Sequence, residues 1–540
     1  SPGEPPRGSQ TLRGGRRRVI RPAAAAALIA CATVVVAGCA PAIDPSWTPP
    51  AWPATTLQVV DAEPQPLDAQ AGQPLAANVS PERIRQDGVG IQARYALLPG
   101  VEAFNDAVRG YVRTAIGARQ DATGATYGPQ AGSAGAGLAD RSCVPGSTEI
   151  PAADLLADPA LAGPVVSGGS ATVVCDVVWA SASMFGQRLR TVLSASDGQI
   201  SDSVDTFFAD TATGEVATAA QVWTPDAATT LAADVFEGLR RAAGSLSLAP
   251  LADPAALERL AASFATTMPA AAGGMQFTIP AGFTTDALAA LGIPPTDAAR
   301  TVLVPAAAAE PLLTDFGRRL LASVGQPYSG PSIQNPGDVP VDCSLTPCVA
   351  LTYDDGPSDL TPSMLDALAA RRASATFFAM GSKARAYAST LQRMVAEGHL
   401  IGNHSWNHPS LPNLTDAQIA AQLGDTSAAL QSASGQPITM FRPPYGEYNA
   451  RVLSIARMPA ILWDVDTEDW KGIDDDVLIQ RAVNQPRPGS IVLQHDIHGN
   501  TARTVGAVCD GLLDRGFTMA TITELFRGSV PNSGAWRSAR

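Results

Sequence analysis

Val349-Ala350-Leu351-Thr352-Tyr353-Asp354-Asp355-Gly356-Pro357 runs from apolar residues straight into two carboxylates and a Gly-Pro breaker. The pattern predicts a buried strand that ends abruptly at a turn. Two adjacent aspartates at such a point repel each other and lose hydration unless a cation sits between or beside them. A metal ion is the usual cation. All five histidines of the chain, His399, His404, His408, His495 and His498, lie downstream of this stretch. The alternative, an acidic surface turn, loses ground with each motif met further along.

Downstream, apolar runs alternate with helical patterns. After the first strand at 348–353, Thr361-Pro362 starts a helix to Arg372. A strand is expected at 375–380, then a helix to Glu397, then a strand at 399–403. Thr415 with Gln418 three residues on makes a capping box for a helix over 415–432. Strands at 438–442, 461–466, 490–495 and 517–521 follow, and Gly516 is placed to stop the preceding helix. This is α/β, a distorted (β/α) barrel of about seven units. In such barrels the side chains that do chemistry gather at the carboxyl ends of the strands. Asp354-Asp355, His404, Arg442, Asp466 with Asp469, and His495 all fall at predicted strand ends.

Five stretches stand in order: Thr352-Tyr353-Asp354-Asp355-Gly356, His404-Ser405-Trp406-Asn407-His408, Arg442-Pro443-Pro444-Tyr445-Gly446, Asp466-Thr467-Glu468-Asp469-Trp470 and Leu493-Gln494-His495-Asp496. Together they resemble the five ordered motifs of the polysaccharide deacetylases, the carbohydrate esterase family 4 enzymes with the nodulation-protein-type deacetylase domain. The resemblance covers residues 343–526, and Tyr353 stands where Phe is common. The family's distorted β/α barrel agrees with the alternation above.

His404 and His408, with three residues between, can face one ion from a single turn. Asp355 completes a two-histidine, one-carboxylate set that leaves a position open for water or substrate. The implied cofactor is one divalent metal, Zn2+ first, with Co2+ or another first-row metal also suited. Asp354 is then free to act as general base. The resemblance gives Arg442 the task of orienting and charge-balancing Asp354, and gives the Tyr445 backbone N–H a share in stabilising the oxyanion. It makes His495 the acid for the departing sugar nitrogen, with Asp469 tuning that imidazole. Trp470 and Leu493 would line the groove for the acetyl methyl and sugar face. Trp406 either stacks on a sugar or packs. His399 and His498 have no assigned role.

The implied activity is metal-dependent N-deacetylation of N-acetylglucosamine-containing polysaccharide, either cell-wall peptidoglycan or a chitin-like polymer. An O-deacetylase of acetylated xylan uses the same residues. A non-catalytic wall-binding lipoprotein is the reading from a different class, and the presence of base, ligands and acid speaks against it.

The 540 residues exceed one domain, and 46% hydrophobic content is ample for real cores. A net charge of −13 argues against nucleic acid as a partner. At the N-terminus, Arg13, Arg16, Arg17, Arg18 and Arg21 precede an apolar stretch at 23–38, too short and alanine-rich for a comfortable membrane span. Val36-Ala37-Gly38-Cys39 resembles the lipobox of bacterial lipoproteins, which makes Cys39 the lipidation site. The arginine run also resembles a twin-arginine export signal. An ordinary signal peptide or short membrane anchor is the alternative. A lipoprotein so anchored lies on the outer face of the cell membrane, held there by lipid, and a monomer is expected.

The expected organisation is a lipoprotein-type signal peptide at 1–39 and a Pro/Ala-rich tether at 40–82. A smaller α+β spacer or binding domain follows at 83–325, a linker at 326–342, the deacetylase domain at 343–527 and a tail at 528–540. The tether would span about 35–40 Å by random-coil scaling. Within 83–325 the strand-like runs are 90–97, 171–181, 187–195, 200–209, 275–279 and 301–304. A helical pattern covers 101–119, and Thr224-Pro225 reads as the start of another helix. Their order resembles a membrane-proximal domain of some anti-sigma proteins and wall deacetylases. Cys143 and Cys175 are placed to bridge within this domain, and Cys343 and Cys348 to close a small loop before the first barrel strand. A zinc site from Cys343 and Cys348 lacks a second pair. Cys509, on a helix face, reads as a buried free thiol.

Overall fold

The computed structural model describes residues 57–62, 75–124, 126–130, 141–198, 200–245 and 254–540. The expected signal peptide, Cys39 and most of the expected tether lie outside the described residues. No described helix is long and apolar enough to cross a membrane.

The strand Cys348–Asp354 is buried at all seven positions. It pairs in parallel with Thr376–Ala379 on one side and Ser490–His495 on the other. Thr376–Ala379 pairs with Leu400–Asn403, and Ser490–His495 with Val465–Asp466. Single bridges from Asn403 to Phe441 and from Phe441 to Ala460 carry the ring round to Ala460–Ile461, four residues before Val465. Thr518–Met519 pairs with the first two residues of the central strand. The result is a distorted, irregular parallel barrel with helices outside.

Side chains alternate across a strand. Val349, Leu351 and Tyr353 pack outward with Met364, Leu365, Leu368 and Phe377. Cys348 and Ala350 pack with Phe378, Met440, Ile461 and Ile491. Thr352 and Asp354 continue that second face, so the first aspartate of the pair points into the barrel while the second begins the turn. The helix Asp416–Ser434 starts with Thr415 and Gln418 in a complete capping box. Gly516 adopts φ 83°, a left-handed value that glycine takes without strain, after the helix Gly499–Asp514.

Three barrel expectations need correction. The strand expected at 438–442 reduces to the bridging residue Phe441. Pro437 before it and Pro443-Pro444 after it cannot donate to a ladder. The strand expected at 461–466 splits in two. The carbonyls of Ile461 and Leu462 at the break accept from the Arg442 guanidinium at 2.8 and 2.9 Å. The C-terminal segment, expected as a tail, supplies Ala535–Trp536, which pairs with Ala460–Ile461.

The region before the barrel holds two sheets, and Trp179, Met184 and Phe208 of the first share a core with Met275, Phe277 and Val302 of the second. One has six strands, ordered Ser80–Gln86, Ile91–Leu97, Gly169–Ser181, Met184–Ala195, Ile200–Asp210 and Glu215–Thr218. The helix Glu102–Thr123 buries Phe104, Val108 and Val112 in its core beside Tyr95, Phe185 and Leu189. The second sheet is Gln58–Asp61, Arg300–Val304, Met275–Ile279 and Met268–Pro269. Gln58–Asp61, which the sequence places in the tether, is thus an edge strand. The helix expected from Thr224-Pro225 begins at Ala227 instead. The Thr224 carbonyl accepts from Ala227 N–H, while its hydroxyl is buried without a partner. Disulfides join Cys143 to Cys175 and Cys343 to Cys348, and Cys509 is a buried free thiol.

The segment read as a linker packs closely on the six-stranded sheet. Val339 belongs to that sheet's core, and Tyr328 and Ile333 pack against it. Arg113 pairs with Asp342 at 2.8 Å.

Candidate metal centre and active site

The chain reverses sharply after Asp354, with Asp355 at φ 71° and a cis Gly356-Pro357 bond. Ser405, His408, Tyr445 and Glu468 also have φ between 57° and 67°. Left-handed backbone is costly for such residues and concentrates at functional sites. All five lie in the turns that follow barrel strands.

Those turns bring Asp355, His404 and His408 together, with one ligand atom from each within 4.8 Å of the others. Asp355 Oδ1 lies 3.3 Å from His404 Nε2 and 3.4 Å from His408 Nε2. His404 Nδ1 lies 2.8 Å from the Arg442 carbonyl oxygen. A carbonyl only accepts, so Nδ1 carries a hydrogen and Nε2 is the ring nitrogen that faces Asp355. Asp355 Oδ1 is buried and has no hydrogen-bond partner. An orphaned carboxylate oxygen facing imidazole nitrogens leaves room for a cation, so these three residues fit a divalent metal. Burial pushes the Asp355 carboxyl up, but His404 and His408 hold it well below the usual carboxylate range.

Asp354 is 3% exposed and Arg442 is wholly buried. Arg442 Nη1 donates to Asp354 Oδ1 at 2.8 Å and to Thr352 Oγ1 at 2.7 Å. The guanidinium also lies 4.2 Å from the centre of the Phe378 ring. Asp354 Oδ2, the other oxygen, is 3.7 Å from His404 Nε2.

On the adjacent strand, His495 Nδ1 lies 2.8 Å from Asp469 Oδ1. The His495 N–H donates to Asp469 Oδ2 at 2.7 Å, and Thr501 Oγ1 donates to the same oxygen at 2.6 Å. Burial pulls the His495 imidazole down. The hydrogen bond and charge of Asp469, with the charges of Asp354 and Asp355, outweigh it and push the imidazole up to about 9. Burial also raises Asp469, yet His495 and Thr501 bring it below its ordinary value.

The remaining predicted residues sit around this centre. The Tyr445 ring meets the His408 ring edge-on at 4.5 Å. Trp470 is exposed, whereas Leu493 is buried. Trp406 is half-exposed, and its ring covers Gly381 so closely that a Cβ there would meet it at 2.6 Å. His399 stands apart as a core residue: its Nδ1 accepts from Ala375 N–H, and burial pulls it down to about 3. The His498 ring lies 5.6 Å from the His495 ring.

Several residues of the site were not anticipated. Thr352, which holds Arg442, was legible as the residue two before Asp354 on the same strand face. Thr501, which holds Asp469, sits in the first turn of the next helix, and no local pattern points to it. Lys383 and Asp496 also reach the Asp355 turn.

The family model described as polysaccharide deacetylase matches residues 342–459. Over 178 residues the chain is 39% identical to the peptidoglycan-N-acetylmuramic acid deacetylase PdaC of Bacillus subtilis, covering 33% of this chain and 38% of that one. Over 189 residues it is 33% identical to a peptidoglycan-N-acetylglucosamine deacetylase of Bacillus cereus, covering 34% of this chain and 69% of that one. A solved structure titled T48 deacetylase with substrate has 40% identity, covers 36% of this chain and 99% of that one, and gives a TM-score of 0.35. The chain spans about two-fifths of the length of the first curated relatives it matches. The family model spans Asp355, His404 and His408, and with the Bacillus cereus relative it shows that the chain belongs to the polysaccharide deacetylase family.

Proposed function

We propose that residues 343–527 form a metal-dependent N-deacetylase acting on N-acetylglucosamine-containing polysaccharide, with cell-wall peptidoglycan as the foremost substrate. The observation that carries this reading is the buried, unpartnered Asp355 Oδ1 between two imidazoles, with Asp354 beside it and His495 on the neighbouring strand end. Relatives named for peptidoglycan deacetylation support the substrate class.

Asp355, His404 and His408 would hold the ion. When bound, a divalent metal polarises an acyl oxygen and lowers the pKa of water. Zinc suits two imidazoles and a carboxylate. Asp354, fixed by Arg442 through one oxygen, keeps its other oxygen free to take a proton from an attacking water. His495, kept cationic by Asp469, donates a proton to the departing sugar nitrogen. The Tyr445 backbone N–H would help to stabilise the tetrahedral oxyanion. Trp470 and Leu493 line the cleft beside His495, and Trp406 forms its edge near the metal ligands. Acetate release compared across peptidoglycan, chitin oligomers and acetylated xylan tests the reading. Release from acetylated xylan alone would refute it.

The two disulfides support an extracytoplasmic location. We place the domain outside the cell membrane, anchored through a lipidated Cys39 and acting as a monomer. Membrane fractionation of Cys39→Ser checks the anchor: the variant is expected in the soluble fraction with its activity intact.

A further inference from the structure

Asp355 holds a left-handed conformation in a turn that has to aim one carboxylate oxygen between two imidazoles. Ligands are held to such tolerances by surrounding side chains that are themselves locked. Two residues without an assigned role close on this turn from two other elements.

The first is Asp496, directly after His495. It is 1% exposed, and its Oδ2 accepts from Thr361 Oγ1 at 2.6 Å. Its carbonyl oxygen accepts from Ser358 Oγ at 2.5 Å, and its N–H donates to the Asp354 carbonyl at 3.3 Å. Its carboxylate packs directly on Gly356, where a Cβ would lie 2.0 Å from both oxygens. Close approach, not conformational freedom, therefore requires glycine at 356. Asp496 Oδ1 has no hydrogen-bond partner. A buried acid left half-satisfied costs stability, and an apolar side chain of that size would pack the space without the cost. That cost is expected where the acid's position serves the site.

The second is Lys383, one of two lysines in the chain. Its Nζ donates to the Asp355 carbonyl oxygen at 2.8 Å. The same turn reaches both ligand loops through the backbone. Met380 N–H donates to Gly356 O at 3.0 Å, and Gly381 N–H donates to Ser405 O at 3.1 Å.

We infer that Asp496 and Lys383 are positioning residues that clamp the turn from Asp354 to Ser358, fixing where Asp355 presents its ligand oxygen and tying that turn to the strand end that carries His495. The inference rests on the metal reading of the site.

The test measures zinc affinity by chelator competition, with kcat and KM at saturating zinc, on the full chain and on D496A, D496N, T361V and K383M. D496A and K383M are expected to weaken zinc binding about 10–100-fold, the range typical of residues that support a ligand. They should lower kcat at saturating zinc while KM stays within about twofold, because the acetyl groove is untouched. D496N keeps an oxygen for Thr361 and should restore affinity to within about threefold of the wild type. T361V should reproduce part of the D496A loss, and it carries the test if D496A does not fold. Wild-type zinc affinity in D496A, or in T361V where D496A does not fold, overturns the clamp. So does a D496N as impaired as D496A. A wild-type chain that binds no zinc removes the metal reading, and this inference with it.

Discussion

Asp354 and His495 are register partners on neighbouring parallel strands, Cys348–Asp354 and Ser490–His495. The residues proposed as base and acid are therefore set side by side by backbone hydrogen bonds. Each has its own buried partner on a different element, Arg442 for Asp354 and Asp469 for His495. These supports can be removed one at a time.

Arg442→Met should destabilise the domain by about 3–5 kcal/mol, because it leaves a carboxylate buried beside Thr352 without its cation. Denaturant unfolding at neutral pH checks this. An unchanged midpoint would mean that Asp354 finds solvent or another partner.

In the metal-free protein, the His495 imidazole should titrate near 9 by NMR. Its folded value lies above its ordinary one of about 6.5. The His495–Asp469 pair therefore contributes its full stability below about 6.5, and that contribution is lost as pH rises through 9. Asp469→Asn removes the charge and leaves the burial, so the midpoint should move down. A midpoint still near 9 in that variant would assign the shift to Asp354 and Asp355 instead.

The two disulfides should differ in worth. Cys343 and Cys348 are 5 residues apart, and Cys143 and Cys175 are 32 apart. Loop-closure entropy gives about 2 kcal/mol for the short loop and about 4 for the long one. Unfolding of Cys343→Ser and Cys143→Ser variants, each paired with its partner's substitution, should show that order. The reverse order would point to strain or residual denatured-state structure.

The barrel was legible because its strands announce themselves as continuous apolar runs, and because the chemistry falls where those runs stop. Ser490–His495 and the helix from Thr415 match their expected starts. The reduction of the strand expected at 438–442 to the single bridging residue Phe441 was not legible, since the apolar pattern persists between prolines that cannot extend a ladder. Gln58–Asp61 was hidden for a different reason. It is four residues long among prolines, and it is held by pairing with Arg300–Val304, far away in sequence. Metal ligands and catalytic candidates came from ordered motifs. Thr501 and Lys383 lie outside those motifs, and Asp496 lies inside one without a role, because each acts through a contact between elements that only folding creates.

A chelator should abolish activity, and zinc or cobalt should restore it. His404→Ala should lose the ion, since two remaining ligands seldom hold it, while His495→Ala should keep the ion and lose turnover. The opposite pattern of metal content would mean that ligand and acid have been exchanged.

The central claim is that Asp354 is the base of a metal-dependent deacetylation. Acetate release from peptidoglycan by Asp354→Asn, with bound zinc measured on the same sample, tests it most directly. The asparagine preserves shape and a contact for Arg442 but cannot take a proton. Zinc content should stay close to wild type while the rate falls about 10²–10⁴-fold. Acetate release at the wild-type rate by the zinc-loaded variant would contradict the account.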